Sequence, residues 1–406
     1  MRLENFCEIE PKVQYIPEYD PKPSTAWYGI KALWYEGAAY QGKKTKVFAY
    51  IGYPEMKEGQ KVPAVVLVHG GGGHAFAEWI KKWNQRGFAA IAMDTTGYFP
   101  NEKWRGLVGT EEAPEEPKYT HDLYGELEEE GYRTGPDKEV SEKECEKPLG
   151  DQWLYHGVVD IILAHNILRS DSHIMLEQIG IAGISWGAVI TSLAIGYDLR
   201  YAFAIPVYGS AYLDYLPAPQ LPQIFREPLV KKAWSAAERL GNVNFPVLWQ
   251  CWCYDTCFSI GANSLSYQAT KKSDSFLCML PDFGHGHLSA WNAPEGYRFA
   301  SSIINGKLPL IKPVTEPEDF GNISFEIAIP EDFTDIAAEI YYLTEPAEYD
   351  KNNRMTKEWK GAKAEITNSC VSGTVPEEAY CYFVELKGFA KGECYISDTA
   401  LVEHVR

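Results

Sequence analysis

Gly183-Ile184-Ser185-Trp186-Gly187 is the stretch on which the fold turns. It follows the apolar run Ile179-Gly180-Ile181-Ala182 and precedes the helix-forming Ala188-Val189-Ile190-Thr191-Ser192-Leu193, so the local reading is strand, tight turn, helix. Small residues on both sides let a serine sit in strained backbone geometry with its hydroxyl exposed above a sheet, the arrangement of a nucleophile elbow. Ser185 is therefore the candidate nucleophile. A lone Gly-x-Ser-x-Gly occurs by chance in long chains, so the reading depends on its companions.

The first companion is Val65-Val66-Leu67-Val68-His69-Gly70-Gly71-Gly72-Gly73-His74, a β-branched run emptying into four glycines ahead of a helical pattern from Phe76 to Gln85. A loop at this place can supply one N–H of an oxyanion hole while the residue after the nucleophile supplies the other, which makes Gly71 or Gly72 and Trp186 the candidates. The rival reading, a phosphate loop, lacks the terminal Gly-Lys-Ser/Thr. There is also no Gly-x-Gly-x-x-Gly with an acidic residue one strand further on. No cofactor is implied.

The acid is expected after a strand that follows the serine. Phe245-Pro246-Val247-Leu248-Trp249-Gln250-Cys251-Trp252 is such a strand, and Asp255 comes just beyond it. A further strand, Phe276-Leu277-Cys278-Met279-Leu280, runs into Pro281-Asp282-Phe283-Gly284-His285-Gly286-His287. There a glycine-flanked histidine can reach a serine, and His285 is the candidate base. The chain order Ser, Asp, His suits such a machine, with room between its members for helices and a cap.

His287, two residues on, is the alternative base. Asp274 lies at the entry to its strand, on the edge away from the site, and Asp282 reads as a turn former beside Pro281. Asp94 ends the strand Phe88-Ala89-Ala90-Ile91-Ala92-Met93 and reads as a loop anchor. A metal site from His69, His74, His285 and His287 has no His-Glu-x-x-His or paired Cys-x-x-Cys spacing behind it, and none is expected.

At 406 residues, 45% hydrophobic and 14% aromatic, the chain can bury a large core and is long enough for two domains. A net charge of −18 without a basic stripe argues against nucleic acid and anionic membranes as partners. The amino terminus carries scattered charges where a signal peptide would have an apolar core, so a soluble, cytoplasmic protein is expected. Nine cysteines, three of them (Cys251, Cys253, Cys257) around one strand, read as reduced thiols.

Two antiparallel strands are expected around Trp27 to Tyr35 and Lys46 to Tyr53, ahead of parallel strands near 64, 88, 179, 202, 246 and 276. Between Thr110 and Lys147 fourteen acidic residues stand against five basic ones, a net −9 and half the total charge. This insertion (110–147) reads as a solvated loop that could also rim a pocket. A second, aromatic insertion over 208–240 reads as a cap, with Tyr208, Tyr212 and Tyr215, and His74 beside the glycine loop, as candidate pocket residues; ordinary packing of the cap on the body is an equal reading of the tyrosines. From about Pro309, prolines punctuate short segments of period-two alternation such as Ile323-Ser324-Phe325-Glu326-Ile327-Ala328-Ile329. The expectation is an all-β, immunoglobulin-like sandwich over 309–406 appended to a catalytic domain over 1–308, with bracing or dimerisation ranked above sugar binding.

The stretch from Ala64 to Gly209 resembles a bacterial branch of the α/β-hydrolases, the acetyl xylan esterase-like and dienelactone hydrolase/prolyl oligopeptidase-like proteins. The resemblance rests on His69-Gly70-Gly71-Gly72-Gly73, on Arg86-Gly87-Phe88-Ala89-Ala90-Ile91-Ala92-Met93-Asp94 and on the Ser185 pentapeptide. It covers about two thirds of the chain if the Asp255 and His285 segments are counted. It implies an α/β-hydrolase fold, a mostly parallel doubly wound sheet, with Ser185, Asp255 and His285 as a triad. The implied activity is that of a serine esterase on a small ester, an acylated sugar among the options. Ala188 departs from the prolyl peptidase pattern, which has a second glycine there, and the residues ahead of Ala64 are too few for the propeller those peptidases carry, so peptidase activity ranks lower. A scaffold protein that kept the fold without catalysis is the alternative of a different class; such a protein would tend to have lost a triad member.

Overall fold

The computed structural model describes residues 2–21, 29–100, 124–126, 147–213, 228–348 and 355–404. Most of the acidic insertion, the middle of the expected cap with Tyr215, and Trp27 lie outside them.

After a short edge strand, Val13–Tyr15, that pairs antiparallel with it, β1 (Lys31–Glu36) is followed in the same sheet by β2 (Lys46–Gly52), β3 (Val62–Val68), β4 (Ala89–Met93), β5 (Ile174–Ile184), β6 (Phe203–Val207), β7 (Leu248–Trp252) and β8 (Phe276–Leu280). β1 pairs β2 and β2 pairs β4, both antiparallel; β4–β3, β3–β5, β5–β6, β6–β7 and β7–β8 are parallel. The spatial order is thus β1-β2-β4-β3-β5-β6-β7-β8, with one crossover of β3 and β4. Parallel strands covered on both faces read as unbroken apolar runs, and Val65 to Val68, Ala89 to Met93 and Ile179 to Ile184 are all buried.

Helices α1 (Ala77–Asn84), α2 (Trp153–Ser170), α3 (Trp186–Tyr197), α4 (Ile260–Thr270), α5 (His287–Asn292) and α6 (Pro294–Ile304) connect or follow these strands. α2 is buried on nearly every face, yet among the described residues no helix is long and apolar enough to cross a membrane.

Beyond residue 311 the described residues form strands and no helix. β9 (Asn322–Ala328), β10 (Asp335–Leu343), β11 (Lys360–Thr367), β12 (Cys370–Thr374), β13 (Cys381–Ala390) and β14 (Glu393–Asp398) make an antiparallel ladder in the order β9-β12-β11-β10-β13-β14. β9 alternates exposed and buried residues at period two, and Ile323, Phe325 and Ile327 join Ile340, Val371 and Val384 in a second apolar cluster. The ladder does not hang free: β14 pairs antiparallel with β8, Leu277 opposite Asp398, so the two regions share one edge. Trp359 adds a second tie, its Nε1–H donating to the Cys253 carbonyl at 3.2 Å.

The described cysteines, eight in number, are unbridged. Cys251, Cys253 and Cys278 are buried core residues, and burial pushes their thiols far up.

Candidate active site

β5 ends at Ile184 and α3 begins at Trp186, which leaves Ser185 alone to reverse the chain. It does so at φ 55° and ψ −119°, a conformation that costs a non-glycine residue about 1–3 kcal/mol and persists only where the surroundings over-determine it. They do. The Ser185 N–H donates to the Val207 carbonyl at 2.7 Å, and its own carbonyl accepts from Ala188 and Val189. A Cβ on Gly187 would lie 2.3 Å from the carbonyl oxygens of both Val68 and His69, and one on Gly183 would lie 2.4 Å from the Gly187 carbonyl oxygen. Gly187 is therefore required where α3 packs on the end of β3, and Gly183 where α3 folds back on β5.

Asp255 lies three residues beyond β7 and His285 five beyond β8, at the same end of the sheet as Ser185. His285 Nε2 is 2.9 Å from Ser185 Oγ, and His285 Nδ1 is 2.7 Å from Asp255 Oδ2. With Nδ1 protonated the imidazole donates to the carboxylate and offers Nε2 to the serine hydroxyl. The other oxygen, Asp255 Oδ1, accepts the backbone N–H groups of Cys257 at 2.7 Å and Phe258 at 2.9 Å. Asp255 is only 2% exposed, so its charge is met by donors and not by water. The His285 ring stacks against Tyr208 (centroids 4.7 Å apart) and Phe258 (6.1 Å), which fixes its plane.

The glycine loop closes beside Ser185. Gly70 N–H donates to His287 Nε2 and Gly73 N–H to the Gly70 carbonyl, both at 3.0 Å. Among the described residues nothing accepts from the amides of Gly71, Gly72 or Trp186, the last at the first helical position where an N–H has no intrahelical partner. Gly72 adopts φ 66°, which a side chain would resist. His69 buttresses the loop from behind, with Nδ1 against the Gly70 carbonyl (2.7 Å) and Nε2 accepting the Thr95 N–H (3.0 Å).

Three sequence-based expectations change in detail. His287 is not an alternative base: its Nε2 is committed to Gly70, because the turn through Gly286 points residues 285 and 287 to different partners. Tyr208 does not line an open pocket, since at φ 56° its side chain turns inward and packs, fully buried, on His285 and Phe283. His74 lies against Phe76 (4.0 Å), where burial pushes its pKa down to about 3. Among the described residues no group of three His, Cys, Asp or Glu has the arrangement to hold a metal ion.

Tyr212 is half-buried, its N–H donating to Ser210 Oγ. Asp274 sits at the far end of β8 in an ion pair with Lys312, and Asp94 accepts the Thr96 N–H as a loop anchor. Sequence reasoning missed Phe258 and also Trp153, whose ring meets Trp186 edge-on at 5.6 Å while its Nε1–H donates to the Thr95 carbonyl. Neither carries a local signal, because their roles arise from contacts distant in sequence.

No protein-family model matches the chain, and no curated protein matches it. Among solved structures it is similar to an acetyl xylan esterase from Paenibacillus sp. R4 (17% identity over 74% of this chain and 90% of that one, TM-score 0.48). It is also similar to the acylaminoacyl peptidase of Pyrococcus horikoshii (17%, 69% and 42%, TM-score 0.47) and to acetyl xylan esterase 1 from Thermoanaerobacterium sp. JW/SL YS485 (16%, 70% and 87%, TM-score 0.46). The chain spans 42% of the length of the Pyrococcus peptidase. At such identity and overlap these likenesses are descriptive. The strand order and the elbow are the chain's own, and they are consistent with an α/β-hydrolase fold.

Proposed function

We propose that this chain is a serine hydrolase that cleaves a carboxylic ester through an acyl-enzyme. The observation that carries the reading is the unbroken row from Ser185 Oγ through the His285 imidazole to Asp255, set beside three amides free of acceptors among the described residues.

In this reading His285 Nε2 takes the Ser185 proton as Oγ bonds to the ester carbonyl carbon. The carbonyl oxygen gains the charge and is met by N–H groups of Trp186 and of Gly71 or Gly72. Collapse breaks the bond to the alcohol, which leaves with the proton held on His285. Water then repeats the sequence on the acyl-serine. Asp255 holds the tautomer and stabilises the imidazolium.

Small acyl esters, acetylated sugars first among them, are the proposed substrates, a choice that rests on the sequence resemblance. We also propose that residues 309–406 form a sandwich-like accessory unit that braces the Asp255 and His285 loops; the β8–β14 pairing and the Trp359 bond support that role. The test is hydrolysis of p-nitrophenyl acetate, butyrate and octanoate by wild type and Ser185→Ala. Turnover lost in the variant with its fold intact supports the reading, and turnover retained overturns it.

A further inference from the structure

Two residues beyond the base, His287 has no part in the mechanism above, yet it is 5% exposed and joins the two loops that the mechanism needs. It opens α5 on the loop that carries His285, and its Nε2 accepts the N–H of Gly70, the first glycine of the other loop. Its ring packs near Phe76 (4.8 Å) and Trp291 (6.0 Å), which holds the lone pair on target. Space around it is closed: a Cβ on Gly73 would lie 3.0 Å from Nε2, and one on Gly70 would lie 3.4 Å from it.

We propose that His287 is the positioning residue that sets the glycine loop, by taking the Gly70 N–H out of contention so that Gly71 and Gly72 are the amides presented to the oxyanion. An N–H that found no acceptor at this depth would turn toward whichever acceptor it could reach, and the chain after Gly70 would turn with it. His287 can serve only while Nε2 is unprotonated, and its surroundings keep it so. Burial, with His69, His74 and His285 nearby, pushes its pKa well below the ordinary histidine value. The role assigned to the loop rests on the serine-hydrolase reading; the hydrogen bond itself does not.

The experiment has two arms that fail separately. In wild type labelled with 15N-glycine and 15N-histidine, a two-bond 15N–15N coupling between the Gly70 amide and His287 Nε2 is expected, and its absence overturns the clamp whatever the activity. His287→Gln places an amide oxygen near Nε2 and can accept; His287→Phe keeps the ring and cannot. Gly70 amide exchange should accelerate at least about tenfold in His287→Phe and stay near wild type in His287→Gln. On p-nitrophenyl acetate kcat should fall about 10- to 100-fold in the Phe variant, with KM within about twofold and with recovery in the Gln variant. Unchanged exchange or unchanged kcat in a folded His287→Phe would overturn the proposal. His287→Leu is read the same way should Phe not be accommodated. A wild type that shows the coupling but no turnover would retire the hydrolase reading and leave the clamp standing.

Discussion

Asp255 and Asp398 are buried to the same degree, 2% and 1% exposed, and both lie near the edge formed by β7 and β8, but their surroundings are opposite. Asp255 is met by two backbone N–H groups and an imidazole. Asp398 accepts one backbone N–H, from Met279 at 2.5 Å, and stands across the ladder from the carboxylate of Glu385. Burial, then Glu385, pushes the Asp398 carboxyl well above the usual range. Nearby, burial pushes Glu295 up to about 7, although its Oε1 accepts the Ile396 N–H. Burial alone therefore does not make a catalytic carboxylate; converging donors do. The seam between the two regions is instead a place where protons are retained.

The largest effect that could break this comparison is expected from Asp255→Asn. Losing the charge that orients His285 should lower kcat about 10⁴-fold with little change in melting temperature, measured by steady-state kinetics and circular dichroism. A loss under tenfold would mean that the donors around Asp255 serve loop structure only. Next in size is Gly187→Ala, whose methyl would meet the Val68 and His69 carbonyl oxygens at 2.3 Å. Urea unfolding should show a loss above about 2 kcal/mol, and a neutral result would mean that the elbow is looser than described.

Glu295 sharpens the other half. Its folded pKa lies above the ordinary 4.5, so the folded state binds the proton more tightly than the unfolded one does. Its contribution to stability is therefore fully present below about pH 4.5 and is lost as pH rises to about 7, on the order of 3 kcal/mol at 1.36 kcal/mol per unit. Glu295→Gln keeps the acceptor for Ile396 and removes the charge, so it should stabilise the protein at pH 8 and leave it nearly unchanged at pH 4.5. Melting curves at the two pH values decide, and equal shifts at both would contradict the burial argument. The smallest effect is expected from Trp359→Phe, which removes the Nε1–H bond to Cys253 two residues before Asp255: about 1 kcal/mol in denaturant unfolding, with a few-fold loss of kcat. Full kcat at reduced stability would separate bracing of the fold from bracing of the site.

The same contrast explains what could be read from the chain beforehand. Buried parallel strands announce themselves locally, and the elbow is local by nature, so the runs at Val65, Ala89, Ile179 and Phe276 and the strained Ser185 were legible. Chain order was enough to nominate Asp255 and His285, which the structure joins to Ser185 in one hydrogen-bonded row. Antiparallel edge pairing has no such signature. Nothing in Glu393 to Asp398 tells that this strand docks on β8, and nothing in His287 tells that its acceptor is needed 217 residues away at Gly70. For Tyr208 the sequence leaves pocket and packing as equal readings; its positive φ, invisible in sequence, sets it under His285.

The measurement that bears most directly on the central claim is covalent labelling by a fluorophosphonate, followed by peptide mapping, with p-nitrophenyl acetate turnover on the same samples. The expected result is one label per chain, on Ser185, with turnover lost in proportion to labelling and both absent in Ser185→Ala. A wild type that turns over the ester unlabelled, or a label that persists in Ser185→Ala, would contradict the assignment of Ser185 as nucleophile.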